Sequence, residues 1–418
     1  MTKRLILAFV FLSWHLVACS NGDSGISSGL PDKPSAEEDS PGTETISEEM
    51  RVKITGEDLY ISAKLDAKTD ILYWFKKCMF NELFTFYRVG TIDNNMPAPA
   101  TLPDASPTSL LNLAYSDNIG PFNITGYGWC GGNHPYLDEV TQTARNIGYR
   151  IYIDGKEIKT DLSTLTKEIK IEVINEIMNP SKADTSSGKT LLNEILCIET
   201  VNYSIYRNNI QVLVTHKFQN ESPVTVQMYY GMQSMFDKET HTLTANGKYV
   251  DWTVQKDVST FTKKEYPSFR RFIEKSANAY QSSYLFADGL GNHEEISDDD
   301  IIFIGNSSNK TYHKIIADRE HKKGDIIHWS GVYTWFKSPV SDDDDLLCYE
   351  GVIDNKKVLF IDCKKSVDRT IQLPVDYTKK SFTIIEKSKS ITITGNKVTA
   401  KGLKIVSDGS GSCVITFD

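Results

Sequence analysis

Asn133 and His134 stand side by side, with Arg145 shortly after them. Together these side-chain types suit removal of a proton next to a carboxylate. A histidine titrates near neutrality, as a general base at that pH must. An asparagine amide can donate to a carboxylate that is gaining enolate character. An arginine fork can hold the same carboxylate through two parallel hydrogen bonds. His216 is a further candidate, at the end of the alternating row Ile210, Val212, Val214, His216, Phe218. Each residue also has a plainer use. Asn133 and His134 can satisfy buried backbone groups in a tight turn, Arg145 can form an ordinary ion pair, and a histidine on an apolar row is most often a hydrogen-bonded core residue.

The pair lies within Ser116–Tyr136, a stretch holding Gly120, Gly126, Gly128, Gly131 and Gly132 among Tyr127, Trp129 and Tyr136. Glycines let a ligand or another backbone approach without a Cβ in the way. Indole and phenol rings offer apolar surface with a polar edge, which suits stacking on a sugar ring. Trp129, Tyr127, Tyr136 and the more distant Tyr230 are therefore the candidate ligand-binding residues. Tyr229 and Tyr230 point to opposite faces, so at most one of them can share a surface with His216. Asp117 beside Asn118 reads as a turn cap.

Metal chemistry is poorly supported. His313, His321 and His328 fall along one hairpin, but no His-x-His or Cys-x-x-Cys spacing occurs. The Asp runs at 298–300 and 342–345 lack the order of a Ca²⁺ loop and read as solvated breaks. No phosphate-binding loop, dinucleotide fingerprint or serine elbow is present, so neither metal nor cofactor is expected. No carboxylate pair in a matched motif points to a hydrolase. Six cysteines remain after Cys19, at 78, 130, 197, 348, 363 and 413. Their spacing is not that of a disulfide framework, and most are expected to be free and buried.

The elements that must position these residues are strands. Val52–Thr55, Leu59–Leu65 and 83–92 alternate, while 71–80 fits a strand or a short helix. Residues 94–109 carry four prolines and read as a long surface loop. An Asp154-Gly155 turn joins two strands, and Asn246-Gly247 marks another hairpin. Residues 191–236 hold three or four long strands. In one of them Val224, Val226, Met228, Tyr230 and Met232 are expected on one face. Lys310–Phe336 is a strand pair around Lys323-Gly324-Asp325. The expected fold class is mostly β: an antiparallel sandwich or supersandwich over 50–340, with a small C-terminal β-module over 346–418.

The 418 residues carry a formal charge of -9, which argues against a nucleic-acid partner because no basic stripe exists to release counterions. Lys3 and Arg4 precede an apolar run from Leu5 to Val17, too short to span a bilayer with ordinary flanks. It ends in Leu16-Val17-Ala18-Cys19, which resembles the bacterial lipobox. That resemblance implies a signal segment over 1–19, lipid attachment at Cys19 and a membrane anchor. Residues 20–49 are rich in Ser, Gly, Pro, Asp and Glu and have almost no large apolar side chain, the composition of a disordered tether. Such a tethered lipoprotein is similar to outer-membrane components of glycan-foraging Gram-negative gut bacteria. The surface and periplasmic faces of that membrane both remain open.

Long paired strands followed by a terminal β-module resemble the β-supersandwich of the galactose-mutarotase-like superfamily, which recurs in polysaccharide lyases and glycoside hydrolases. Separately, SDNIGPF, GGNHPY and TARNIGYRIYIDGKEI resemble a segment of some phage-associated and bacterial β-proteins, departing from it at Pro135. The first of these resemblances implies a glycan or polysaccharide as the partner; the second implies a real module and no particular activity. Three readings follow: a surface lipoprotein that binds carbohydrate, a polysaccharide lyase using Asn133, His134, His216 and Arg145, and a structural or protein-interaction module in which the glycine-rich stretch is only a turn cluster.

Overall fold

A computed structural model describes residues 46–101, 120–235, 241–243, 249–251, 258–261, 271–276, 279–286, 301–304 and 310–418. These residues belong to one compact unit, Glu44–Asp418. The fold is mostly β, with antiparallel sheets in sandwich-like layers. Among the described residues no helix is long and apolar enough to cross a membrane. The expectations for Cys19, residues 20–45 of the tether, Asp117, Asn118 and the Asp298–Asp300 run lie outside the described residues, as do the Asn246-Gly247 turn and residues 102–109 of the 94–109 loop.

A ten-stranded antiparallel sheet forms the central layer. From one edge it runs Tyr249–Asp251, His241–Leu243, Arg271–Lys275, Tyr280–Leu285, Ile326–Phe336, Asn209–Phe218, Ile195–Tyr206, Ile169–Met178, Ala144–Ile153 and Lys156–Ile158. Alternation gives it one strongly apolar face. In Asn209–Phe218, Ile210, Val212, Val214, His216 and Phe218 are buried together, as the periodicity predicts.

Two smaller sheets cover that face side by side. A five-stranded sheet (Leu83–Asp93, Thr69–Cys78, Asp58–Lys64, Met50–Thr55, Leu162–Thr166) packs Phe75 on Tyr203 and Phe84 on Tyr149. The ambiguous run 71–80 is thus a strand through Cys78, its β-branched and aromatic content favouring the pleated surface. A six-stranded sheet (Val258–Phe261, Ile301–Ile304, Lys310–His321, Val224–Met235, Pro121–Ile124, Gly128–Gly131) packs Phe122 and Tyr229 against His216.

On the opposite face of the central sheet, strands from Ser341 to Phe417 form two further sheets with a core of their own. A separate apolar cluster joins Val332, Tyr284 and Phe336 to Tyr349 and Phe360 across this contact. The buried ion pair of Arg271 with Asp362 crosses the same contact.

Two sequence expectations are corrected here. Val224, Val226, Met228, Tyr230 and Met232 do not form one continuous face. Pairing slips between Val226 and Met228 on one side of the strand and between Tyr229 and Tyr230 on the other. Such bulges re-aim the residues that follow. The core row therefore runs Val224, Val226, Tyr229, Met232, and Tyr230 turns to the outer surface. The Asp342–Asp345 run is exposed at Asp343 and Asp344, as a solvated break would be, but Asp342 departs from that expectation. Asp342 is mostly buried and accepts from Lys275 at 2.8 Å, Lys364 at 2.9 Å and the Tyr280 phenol at 2.5 Å. Burial pushes its pKa up, but those three hydrogen bonds outweigh burial and hold it down at about 2. Asp342 thus clamps the central sheet to the C-terminal strands.

Candidate functional site

The six-stranded sheet carries a row of near-parallel rings on its outer face. Tyr136 lies 6.2 Å from Trp129, Trp129 lies 5.4 Å from Tyr230, and Tyr230 lies 4.9 Å from Tyr312, centroid to centroid. Interplanar angles along the row are 29°, 29° and 16°. Pairing places the rings. Trp129 is opposite Asn123 and Cys130 opposite Phe122, so Trp129 points outward while Cys130 and Phe122 enter the core. The bulge in Val224–Met235 then brings Tyr230 outward beside Trp129. The row borders a cleft of about 200 Å³ lined by Pro121, Trp129, His134, Tyr136, Tyr230, Gln233 and Tyr312. His134 meets the edge of Tyr136 at 5.7 Å. Burial raises the Tyr230 phenol to about 12, so it enters the cleft as a neutral hydroxyl at ordinary pH.

Of the residues singled out from sequence, the structure brings Trp129, His134, Tyr136 and Tyr230 together. Tyr127 is 55% exposed at the tip of the turn before Gly128–Gly131 and does not line the cleft. Asn133 is buried and works as a clasp. Its carbonyl accepts from Phe80 N at 3.3 Å and its Oδ1 from Leu83 N at 3.4 Å. Asn81 answers by donating to Gly132 O at 2.7 Å. These bonds fasten the loop that carries His134 to the turn after Thr69–Cys78.

His216 and Arg145 lie elsewhere. His216 is fully buried, with Nε2 2.8 Å from Glu199 Oε2 and its ring between Phe122 and Tyr229. Glu199 Oε1 accepts from Asn175 at 2.9 Å, and Asn175 Oδ1 accepts from Asn146 at 3.0 Å. Arg145 pairs with Glu176, its direct cross-strand partner, on the face of the central sheet away from His216. The four proposed catalytic residues therefore do not converge on one cleft.

Tyr312, Gln233 and Pro121 are the lining residues that sequence reasoning missed. Tyr312 had a legible signal, because it alternates with His313 and so takes the face opposite to it. Its neighbour Tyr230 depends on the bulge, which no pattern announced. The glycines also do different work from that expected. A Cβ on Gly120 would sit 1.8 Å from the Tyr230 carbonyl oxygen, so this glycine lets two protein backbones meet. Gly126, at φ +80 with open space around it, serves the hairpin turn.

His313 and His321 are buried and His328 is exposed, so the three histidines do not gather. Burial drives the pKa of His321 down to about 4, against the opposing pull of Asp325, and its ring stacks on Phe218 at 4.4 Å. Among the described residues no group of three or more His, Cys, Asp or Glu side chains is placed to hold a metal ion. The six described cysteines are buried and form no disulfide with one another.

No family model matches the chain, and no curated protein matches it. Several solved structures are similar at low identity. An α-galactosidase of glycoside hydrolase family 36 from Geobacillus stearothermophilus aligns with 67% of this chain and 40% of its own, at 7% identity and TM-score 0.38. A family 97 glycoside hydrolase from Pseudoalteromonas sp. strain K8, solved with panose, aligns with 68% and 35%, at 6% identity and TM-score 0.32. A polysaccharide lyase aligns with 82% and 45%, at 7% identity and TM-score 0.28. This chain spans less than half the length of each of these proteins. At such scores the activities in those descriptions stay with those proteins.

Proposed function

We propose that the protein binds carbohydrate through the Tyr136–Trp129–Tyr230–Tyr312 row, as a lipid-anchored lipoprotein of a bacterial outer membrane. The observation that carries the reading is the row itself: Trp129 and Tyr230 on the outer sheet face, flanked by Tyr136 from the following loop and by the buried Tyr312, beside a cleft lined by three phenols, an imidazole and an amide. Aromatic surface with a few polar groups at its edge matches a sugar ring, which has apolar C–H faces and hydroxyl rims. The lipobox at Leu16–Cys19 supports the anchored location.

Binding is preferred here to lyase catalysis. A lyase of the expected kind needs its base and its carboxylate-holding groups together. His134 reaches the cleft, while Asn133 is committed to the Phe80–Leu83 turn and Arg145 to Glu176. The test is binding of the full chain to a panel of neutral and acidic polysaccharides, with ultraviolet absorbance read in parallel for unsaturated uronate. Saturable binding that Trp129→Ala removes, without new absorbance, supports the reading. Absorbance that grows with time and vanishes in His134→Ala replaces binding with lyase activity. Binding unchanged in Trp129→Ala sinks the proposed surface.

A further inference from the structure

A second cleft, of about 320 Å³, opens where the five-stranded sheet, the central sheet and the C-terminal strands meet. Its charged lining is Asp66, Arg207, Lys337, Glu350 and Lys357, with Asn208 beside them. Most of these charges are already matched. Lys337 lies 3.3 Å from Asp66 and donates to the Thr69 hydroxyl at 2.8 Å. Lys357 lies 3.4 Å from Glu48. Glu350 is an exposed carboxylate on the same wall, and after burial itself it helps to raise the pKa of the Tyr377 phenol. Arg207 is left over: its guanidinium makes no hydrogen bond or ion pair with a described residue, and its Nε is buried without a partner. The Nε is enclosed, so the donors available to an acceptor in the cleft are those of the two terminal guanidinium nitrogens.

The backbone of Arg207 adds an independent observation. It sits in the turn between Ile195–Tyr206 and Asn209–Phe218 with φ +46, a left-handed conformation that costs a side-chain-bearing residue free energy. Two buried side chains hold it there. The Tyr73 phenol donates to Arg207 O at 3.1 Å, and Arg207 N donates to Met50 Sδ at 3.1 Å. Glycine would fill this turn without strain. An arginine is found instead, with its backbone fixed and its fork uncommitted, which is the arrangement of a preorganised anion clamp.

We propose that this cleft binds a small organic anion, about one sugar ring in size, whose carboxylate or sulfate ester is held by Arg207. The cleft volume lies near the lower end for ligand sites, about 300 Å³. Asn208, whose amide also donates to Trp335 O, and Lys337, which also pairs with Asp66, line the same cleft. The site is separate from the aromatic row and does not depend on it.

The test is calorimetric titration of the full chain at low salt with D-glucuronate, D-glucose 6-sulfate and D-glucose. One or both anions should bind while glucose does not, and which anion binds decides between carboxylate and sulfate. Arg207→Gly should weaken that binding by about tenfold or more, the loss expected for a charge-assisted bidentate contact. Because glycine suits the turn, this variant should keep a cooperative thermal transition like the parent's. Trp129→Ala, a change at the other cleft, should leave anion binding unaltered. Failure of both anions to bind at millimolar concentration overturns the proposal. So does equal binding of glucose, equal binding by Arg207→Gly, or loss of anion binding in Trp129→Ala.

Discussion

The outward row around Trp129 and the buried pair of His216 with Glu199 lie on opposite sides of the six-stranded sheet and use similar residue types. Each contains a histidine beside a tyrosine. Outside, His134 meets Tyr136 at the rim of a cleft. Inside, His216 meets Tyr229 at 4.9 Å, with a carboxylate on one ring nitrogen and no cleft. The strand that supplies Tyr229 to the core also supplies Tyr230 to the outer row. Similar residue types become architecture where every group is enclosed, and form the proposed binding surface where the rings face outward. A side chain's type therefore says little about function until its face is known.

The sharpest way to break this comparison is to remove the buried carboxylate. Glu199→Ala leaves His216 and Asn175 without their shared acceptor, and should cost about 3 kcal/mol or more in chemical unfolding. Trp129→Ala should cost only about 1 kcal/mol by the same measurement. Reversal of these two values would mean that the row, not the dyad, is architectural.

Next in size is the effect on ligand. Trp129→Ala should weaken saccharide binding by about tenfold or more in titration calorimetry, through loss of the ring between Tyr136 and Tyr230. A milder core change, His216→Gln, should leave the same affinity within about twofold. An equal loss in both variants would show that the two sides of the sheet act as one site.

A smaller effect concerns pH. The folded-state pKa of His321 is depressed, so between 6.5 and about 4 the unfolded chain binds a proton that the folded chain does not. Stability is then greatest above 6.5 and falls on acidification through that window. Asp342 is also depressed, from 3.8 to about 2, and its contribution is lost as pH falls through that lower range. Thermal melts of His321→Phe should flatten the upper slope, and those of Asp342→Asn the lower one. An unchanged slope in either variant would remove that group from the account. The smallest expected change is His134→Ala, with a several-fold loss of saccharide affinity and no shift in stability, measurable by the same titration.

Much of the fold was legible. Period-two alternation marked the long strands, and Asp154-Gly155 marked a turn that takes positive φ at both residues. The site was legible only where it is local. Trp129, His134 and Tyr136 lie close in sequence, so one hairpin and its following loop deliver them together. Tyr312 comes from a strand that joins Val224–Met235 only through long-range pairing. Arg145 was misplaced for the converse reason: closeness in sequence could not show that its strand turns it to the far face, against Glu176.

Composition and alternation alone settled that this chain builds antiparallel β-layers, because a pleated strand half-buried on one face imposes that pattern on any sequence that forms it. Tertiary structure decided which face each aromatic residue serves. A bulge shifts side-chain parity midway along Val224–Met235, and parity is a property of pairing with neighbouring strands, not of the strand itself. Partners were decided in the same way. The carboxylate for His216, the clasp on Asn133 and the uncommitted fork of Arg207 all depend on residues distant in sequence, and only the packed layers bring those groups within reach or leave them without one.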